Sequence, residues 1–197
     1  MRQLFILLSF ILMSQLHAQT DSLGLPYYQI PEYPADFQSG NVLSRMIDGL
    51  GYRYYWASEG LREEDLAYKP SELGQTPLEV LDHLHGLSIM ILNATAQKPN
   101  IRPVDRPTLS YEEMRKRTLH NFKSASELCL GKSDAEVAEI KIIFQRGDKI
   151  SEFPLWNLIN GPIADAIYHT GQIVSYRRTT GNPMNPKVSV FSGKNRE

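Results

Sequence analysis

The stretch 153-FPLWNLINGPIADAIYHTGQIVSYRRTTGNP-183 decides the architecture of this chain. It reads as one long helix built to present polar ligands. Pro154 is tolerated in a first helical turn, where its missing N–H costs little. Gly181 and Pro183 supply the stop. Asp165 and His169 are four residues apart, so both side chains leave the same face, and Gln172 and Tyr176 continue that face. A carboxylate and an imidazole one turn apart can converge on one cation if other helices supply further ligands. The same spacing also suits a local hydrogen bond or a capping pair, so on its own it leaves both readings open.

Outward toward the N-terminus, AEVAEIKIIF has β-branched, partly alternating character and is followed by QRGDK and ISEF. This predicts a small hairpin with Gly147 in the turn. Arg146-Gly147-Asp148 matches an integrin-binding string, yet Gly-Asp is ordinary turn chemistry. Beyond Gly181, residues 181–197 form a Pro-punctuated tail in which Val188 to Phe191 adds one short strand or simply covers the domain.

Three further helices precede the hairpin. The first is expected at about Asn41 to Gly60, with Val42, Met46, Leu50 and Leu43, Ile47, Tyr54 at helical spacing. Arg45, Asp48, Tyr52, Tyr55 and Glu59 form a second line, read as a solvated or half-buried face. REEDLAYKPSELGQTP is read as a connection. Thr76 and Pro77 then open the second helix as N-cap and N1 residues, and it runs to about Thr95. It is apolar nearly all round, as suits a helix inside a bundle. His83 and His85 interrupt the apolar run and, two residues apart, point in different directions. Asn93-Ala94-Thr95 matches a glycosylation sequon, for which a helix end is the plain explanation. KPNIRPVDRPTL reads as a loop. Ser110 and Glu113 make a capping box that opens the third helix, ending near Leu130 and Gly131. Met114, Leu119, Phe122, Ala125 and Leu128 form its inner stripe, with Arg115, Lys116 and Arg117 on the wet side.

At 197 residues and 42% hydrophobic content, the chain can bury one good core, so a single domain is expected. Residues 1–18 are set apart: Arg2 precedes the apolar run LFILLSFILM and then a polar pair, a signal-peptide pattern too short for a comfortable membrane span. Export to the periplasm or outside the cell follows, with cleavage expected after Ala18 and no stable membrane span afterwards. Residues 19–37 are an extended arm, since Pro26, Pro31 and Pro34 block helix formation and Tyr27, Tyr28 and Tyr33 can lie along a surface. A net charge of −1 gives no reason to expect nucleic acid or an anionic membrane as partner. Cys129 is the only cysteine, so no intrachain disulfide supports the fold, and it reads as a small buried hydrophobe.

The result is a mainly all-α fold: a four-helix bundle over 38–180, with a long connection and a small β-hairpin between helices three and four. Two segments carry a family resemblance. TPLEVLDHLHGL resembles the second-helix segment of the DinB/YfiT-like four-helix bundles, and ADAIYHTGQI resembles their last-helix motif, usually His-x-x-x-His followed closely by Gly-Gln. The resemblance implies that His83 is the helix-two ligand and His169 the second histidine of the last-helix pair. Asp165 stands where the family usually has a histidine. A His/Asp/His set suits Zn²⁺ first, or Ni²⁺, Mn²⁺ or Fe²⁺; alternatively Asp165 merely orients His169. His85 is the spare ligand candidate, and Gln172, Tyr168 and Tyr176 are candidates for supporting the ligands or touching substrate. Three protein ligands leave a position open for chemistry, and a divalent ion there makes a water or thiol nucleophilic at neutral pH. The family includes thiol-dependent transferases, while export argues for a metal-dependent hydrolase acting on an unknown small molecule. A non-catalytic envelope binding or scaffold protein without metal is the other reading, and a homodimer is compatible with either. Arg177 and Arg178 are read as capping the last helix through its dipole, and Gly171 as a point of close backbone approach.

Overall fold

The structure is a computed structural model that describes residues 24–105 and 107–197. The export segment read at 1–18 and the start of the arm lie outside these residues. The four long helices are α1 (Ser39–Ser58), α3 (Pro77–Thr95), α4 (Tyr111–Cys129) and α7 (Ala164–Thr179). Each packs on two others, α1 and α3 both touching α4 and α7, so they close a four-cornered bundle. Its centre is apolar: Ile47 and Leu50 of α1, Val80, Leu84 and Ile91 of α3, Leu119 and Phe122 of α4, and Ile173 of α7 are buried. Cys129 is buried among them, and burial pushes its thiol up to about 12, which makes it inert as a nucleophile.

Helix starts follow their capping residues. Thr76 Oγ1 accepts from the Glu79 N–H, and Glu79 Oε2 accepts in return from the Thr76 N–H at 2.7 Å. At α4 only half of the expected box forms. Ser110 Oγ accepts from the Glu113 N–H, but the Glu113 carboxylate turns to Arg117 at 2.7 Å. The connection after α1 carries one short helix, α2 (Glu63–Leu66), capped by Asp65.

Between α4 and α7 the β reading needs correction at its start. Ser133 and Glu136 make a capping box, and Asp134–Ala138 is a short helix, α5. The hairpin proper is β2 (Lys141–Arg146) with β3 (Lys149–Pro154), paired Arg146 to Lys149 across a turn where Gly147 takes φ +57°. The Arg146-Gly147-Asp148 string is therefore the hairpin tip. The loop before α4 contains a strand, β1 (Pro99–Ile101), which pairs in parallel with β2, Pro99 opposite Ile143. Asn93 and Thr95 of the sequon are tied down, Asn93 donating to Asn100 Oδ1 and Thr95 buried at the end of α3.

Two surfaces read as wet are buried. On α1, Asp48, Tyr52 and Tyr55 lie under the arm and tail, while Val42 of the expected inner stripe is exposed. Tyr27 inserts beside Gly51, where a Cβ would come within 2.4 Å of its ring, and its hydroxyl donates to Asp48 Oδ1 at 2.9 Å. The tail forms a two-residue hairpin, β4 (Val188–Ser189) with β5 (Lys194–Asn195), and Gly193 O accepts from the Ile30 N–H. Arg115 of α4 is buried as well: it donates to Ser58 Oγ and Tyr55 O, pairs with Glu59, and lies over the Tyr55 ring. Leu128 of the same helix is exposed.

Arg177 is likewise inward, and it caps a helix other than its own. Its Nη1 donates to Trp56 O and Ala57 O in the last turn of α1, and its Nε donates to Asn182 O at 2.6 Å. Burial lowers the proton affinity of this guanidinium. The end of α7 is closed by Gly181 at φ +74°, with the Asn182 N–H returning to Arg177 O and the Gly181 N–H to Arg178 O.

Candidate metal centre

The last helix is not continuous from Pro154. Phe153 and Pro154 finish β3, Leu155–Leu158 form a single α-turn (α6), and Ile159–Ile163 are π-helical before α7 begins. Pro162 explains the wide turn. Its ring would crowd the carbonyl four residues back, and a π-turn relieves that clash while the Ala164 N–H reaches the Ile159 carbonyl. Asp165 and His169 follow at once, on the face of α7 turned to α3.

His83, from the second turn of α3, meets them there. His83 Nε2 is 3.1 Å from Asp165 Oδ2, and His169 Nε2 is 3.3 Å from Asp165 Oδ1. The two imidazoles stand edge to face, with centroids 4.6 Å apart. One ligand atom from each of the three residues lies within 4.8 Å of the others. Donor atoms sharing a tetrahedral zinc ion at usual bond lengths are separated by about 3.3 Å, close to both Asp165 distances. The centre is half open: the side chains of His83 and Asp165 are each 41% exposed and that of His169 16%.

The protons decide what the cluster suits. His169 Nδ1 is 2.5 Å from Gln172 Oε1, a contact that suits the tautomer with its proton on Nδ1. In the neutral ring Nε2 then offers a lone pair, and it points at a carboxylate oxygen. Two acceptors face each other at 3.3 Å. A cation between the two groups would satisfy both. Two imidazole nitrogens and a carboxylate, with the rear nitrogen of one ring already anchored, are a donor set that fits a divalent metal ion.

The remaining candidates separate cleanly. Tyr168 is 67% exposed with its ring 5.3 Å from that of His169, so it and Gln172 both border the cluster. Tyr176 lies two turns further along α7 and packs on Tyr68 at 5.7 Å. His85 points to the other side of α3, where its Nδ1 is 3.1 Å from Thr118 Oγ1 in the core, away from the cluster. Gly171 shows no close approach: a Cβ there would meet nothing within 4 Å.

Sequence reasoning missed what anchors the far end of α7. Asp65 of α2 is buried and accepts from Arg62, from Thr180 Oγ1 at 2.5 Å and from Asn182 Nδ2 at 2.6 Å. The Arg62 guanidinium, helped by these donors, holds the Asp65 carboxyl well below the usual carboxylate range. Its only signal was the Arg62–Asp65 spacing at the start of a short acidic run.

Beside His83 a groove of about 520 Å³ opens between α3 and the returning strand β1. No family model matches the sequence, and no curated protein matches it. Among solved structures, the chain is similar to a DinB-like protein, YjoA, of Bacillus subtilis, with a TM-score of 0.53 and 12% sequence identity. The match covers 77% of this chain and 99% of that one. The fold is therefore the DinB-like one.

Proposed function

We propose that the protein is an exported, metal-dependent enzyme, with His83, Asp165 and His169 holding one divalent ion, zinc first and nickel, manganese or iron next. The reading rests on one observation above all: a nitrogen of His83, an oxygen of Asp165 and a nitrogen of His169 converge within 4.8 Å of one another. The bound ion would supply Lewis acidity, polarising a substrate oxygen or activating a water or thiol. The chain's own residues then do the rest. Gln172 keeps the His169 ring from turning, Asp165 neutralises part of the ion's charge, and Tyr168 offers a phenol at the open rim. A hydrolase acting on a small molecule fits the export pattern of residues 1–18 better than a thiol transferase does, since thiol pools are cytosolic.

Elemental analysis of protein purified without chelator or histidine tag tests this reading, together with His83→Ala and His169→Ala. Near-stoichiometric metal in the wild type, absent from both variants while circular dichroism shows intact helices, supports the centre and justifies hydrolase and transferase screens. A wild-type protein that takes up no zinc, manganese or nickel would leave a helical binding or scaffold protein in its place.

A further inference from the structure

The groove beside His83 has a second distinctive wall. After α3 the chain doubles back: Asn100 of β1 is bonded to Asn93 near the end of the helix, and Val104 lines a cavity with Leu78, Glu79 and Asp82 near its start. Arg102 sits between these two levels and lines the groove. His83 lines the same groove. The Arg102 guanidinium is half-buried over the Phe144 ring, 5.5 Å from the centroid, and has no carboxylate partner among the described residues. The two carboxylates that share the groove are engaged: Glu79 closes the capping box with Thr76, and Asp82 has an interaction of its own.

We propose that this groove receives a substrate bearing a carboxylate, with Arg102 taking the carboxylate and the reacting group lying beside His83. An arginine stacked on an aromatic ring is pre-oriented for a planar, two-point partner, which a carboxylate is. With Glu79 and Asp82 in the same groove, a singly charged carboxylate is repelled less than a phosphate dianion. Asn93 and Asn100, whose amides bond to each other and to Ile143 O, fix the floor. The location of the reacting group rests on the metal centre proposed above; the role of Arg102 does not.

The test is a titration followed through the Asn93 and Asn100 side-chain amide NMR signals, using N-acetylglycine, its neutral counterpart N-acetylglycinamide, and methyl phosphate. N-acetylglycine is expected to bind at least tenfold tighter than the amide and tighter than methyl phosphate. Arg102→Met should lose at least tenfold for N-acetylglycine and Arg102→Lys should fall between, while both keep wild-type zinc affinity. Equal binding of the neutral probe, tighter binding of methyl phosphate, or an unchanged Arg102→Met protein would each overturn the assignment. Repeating the titration on metal-free His83→Ala separates the two proposals. Retained carboxylate binding there leaves Arg102 standing whatever the metal result, and a zinc-binding wild type with no carboxylate preference removes the groove assignment alone.

Discussion

His169 and Gln172 are joined through Nδ1 and Oε1 at 2.5 Å, one turn apart on α7. That contact holds the ring so that its other nitrogen faces Asp165 at 3.3 Å. Partners behind a metal-binding histidine typically contribute 10–100-fold in affinity. Gln172→Ala is therefore expected to weaken zinc binding about 10–100-fold, measured by competition with a chromophoric chelator. Gln172→Glu, which keeps an acceptor, should retain most of the affinity. An alanine variant with undiminished affinity would mean that the ring is held by packing alone.

Asp165 occupies the place where the resembling bundles carry a histidine, and its two oxygens each face one imidazole. Asp165→Asn keeps the shape and removes the charge; at least tenfold weaker zinc binding is expected if the carboxylate is a ligand. Asp165→His should restore zinc binding with a three-imidazole set. If Asp165 only orients His169, the asparagine variant will bind nearly as well as wild type.

The His83–Asp165–His169 cluster was legible by two routes: the i, i+4 spacing puts Asp165 and His169 on one face, and the family resemblance of the α3 segment singled out His83 over His85. Residues whose role depends on distant partners were not. Arg115 read as a solvated charge and Arg177 as a cap on its own helix, since nothing near them in sequence announces that their guanidinia satisfy carbonyls at the end of α1. Tyr52 and Tyr55 read as half-exposed because the arm and tail that cover them are themselves irregular. Strand β1 has three residues and a flanking proline, too little for periodicity to register, and the capping box at Ser133 overrode the β-branched look of the segment that follows. Pro162 was the visible mark of the π-turn, but a proline alone does not say whether a helix ends, kinks or widens.

Arg177→Met should destabilise the protein by about 3 kcal/mol, since it strips hydrogen bonds from the buried carbonyls of Trp56 and Ala57. Urea unfolding followed by circular dichroism reads the loss as a lower midpoint with an unchanged slope. Arg177→Lys, a single point donor, should recover only part of it. A loss below about 0.5 kcal/mol would place Arg177 among ordinary surface charges.

The Asp65 network carries a pH signature. The folded carboxyl titrates below its unfolded value near 4, so its contribution is complete above that value and is lost as pH falls through the folded pKa. Asp65→Asn is expected to cost about 2 kcal/mol at neutral pH. The gap between wild type and variant should stay level from pH 8 to 5 and narrow below about 4. A gap that widens on acidification would contradict this assignment.

The most direct measurement is a zinc titration followed through the ring nitrogens of the histidines by long-range ¹H–¹⁵N NMR. At one equivalent, His83 and His169 should shift at Nε2 in the manner of metal ligands, with the proton retained on His169 Nδ1, while His85 and His120 stay unchanged. Zinc that leaves His83 and His169 unmoved, or that moves His85 or His120 instead, would contradict the centre proposed between α3 and α7.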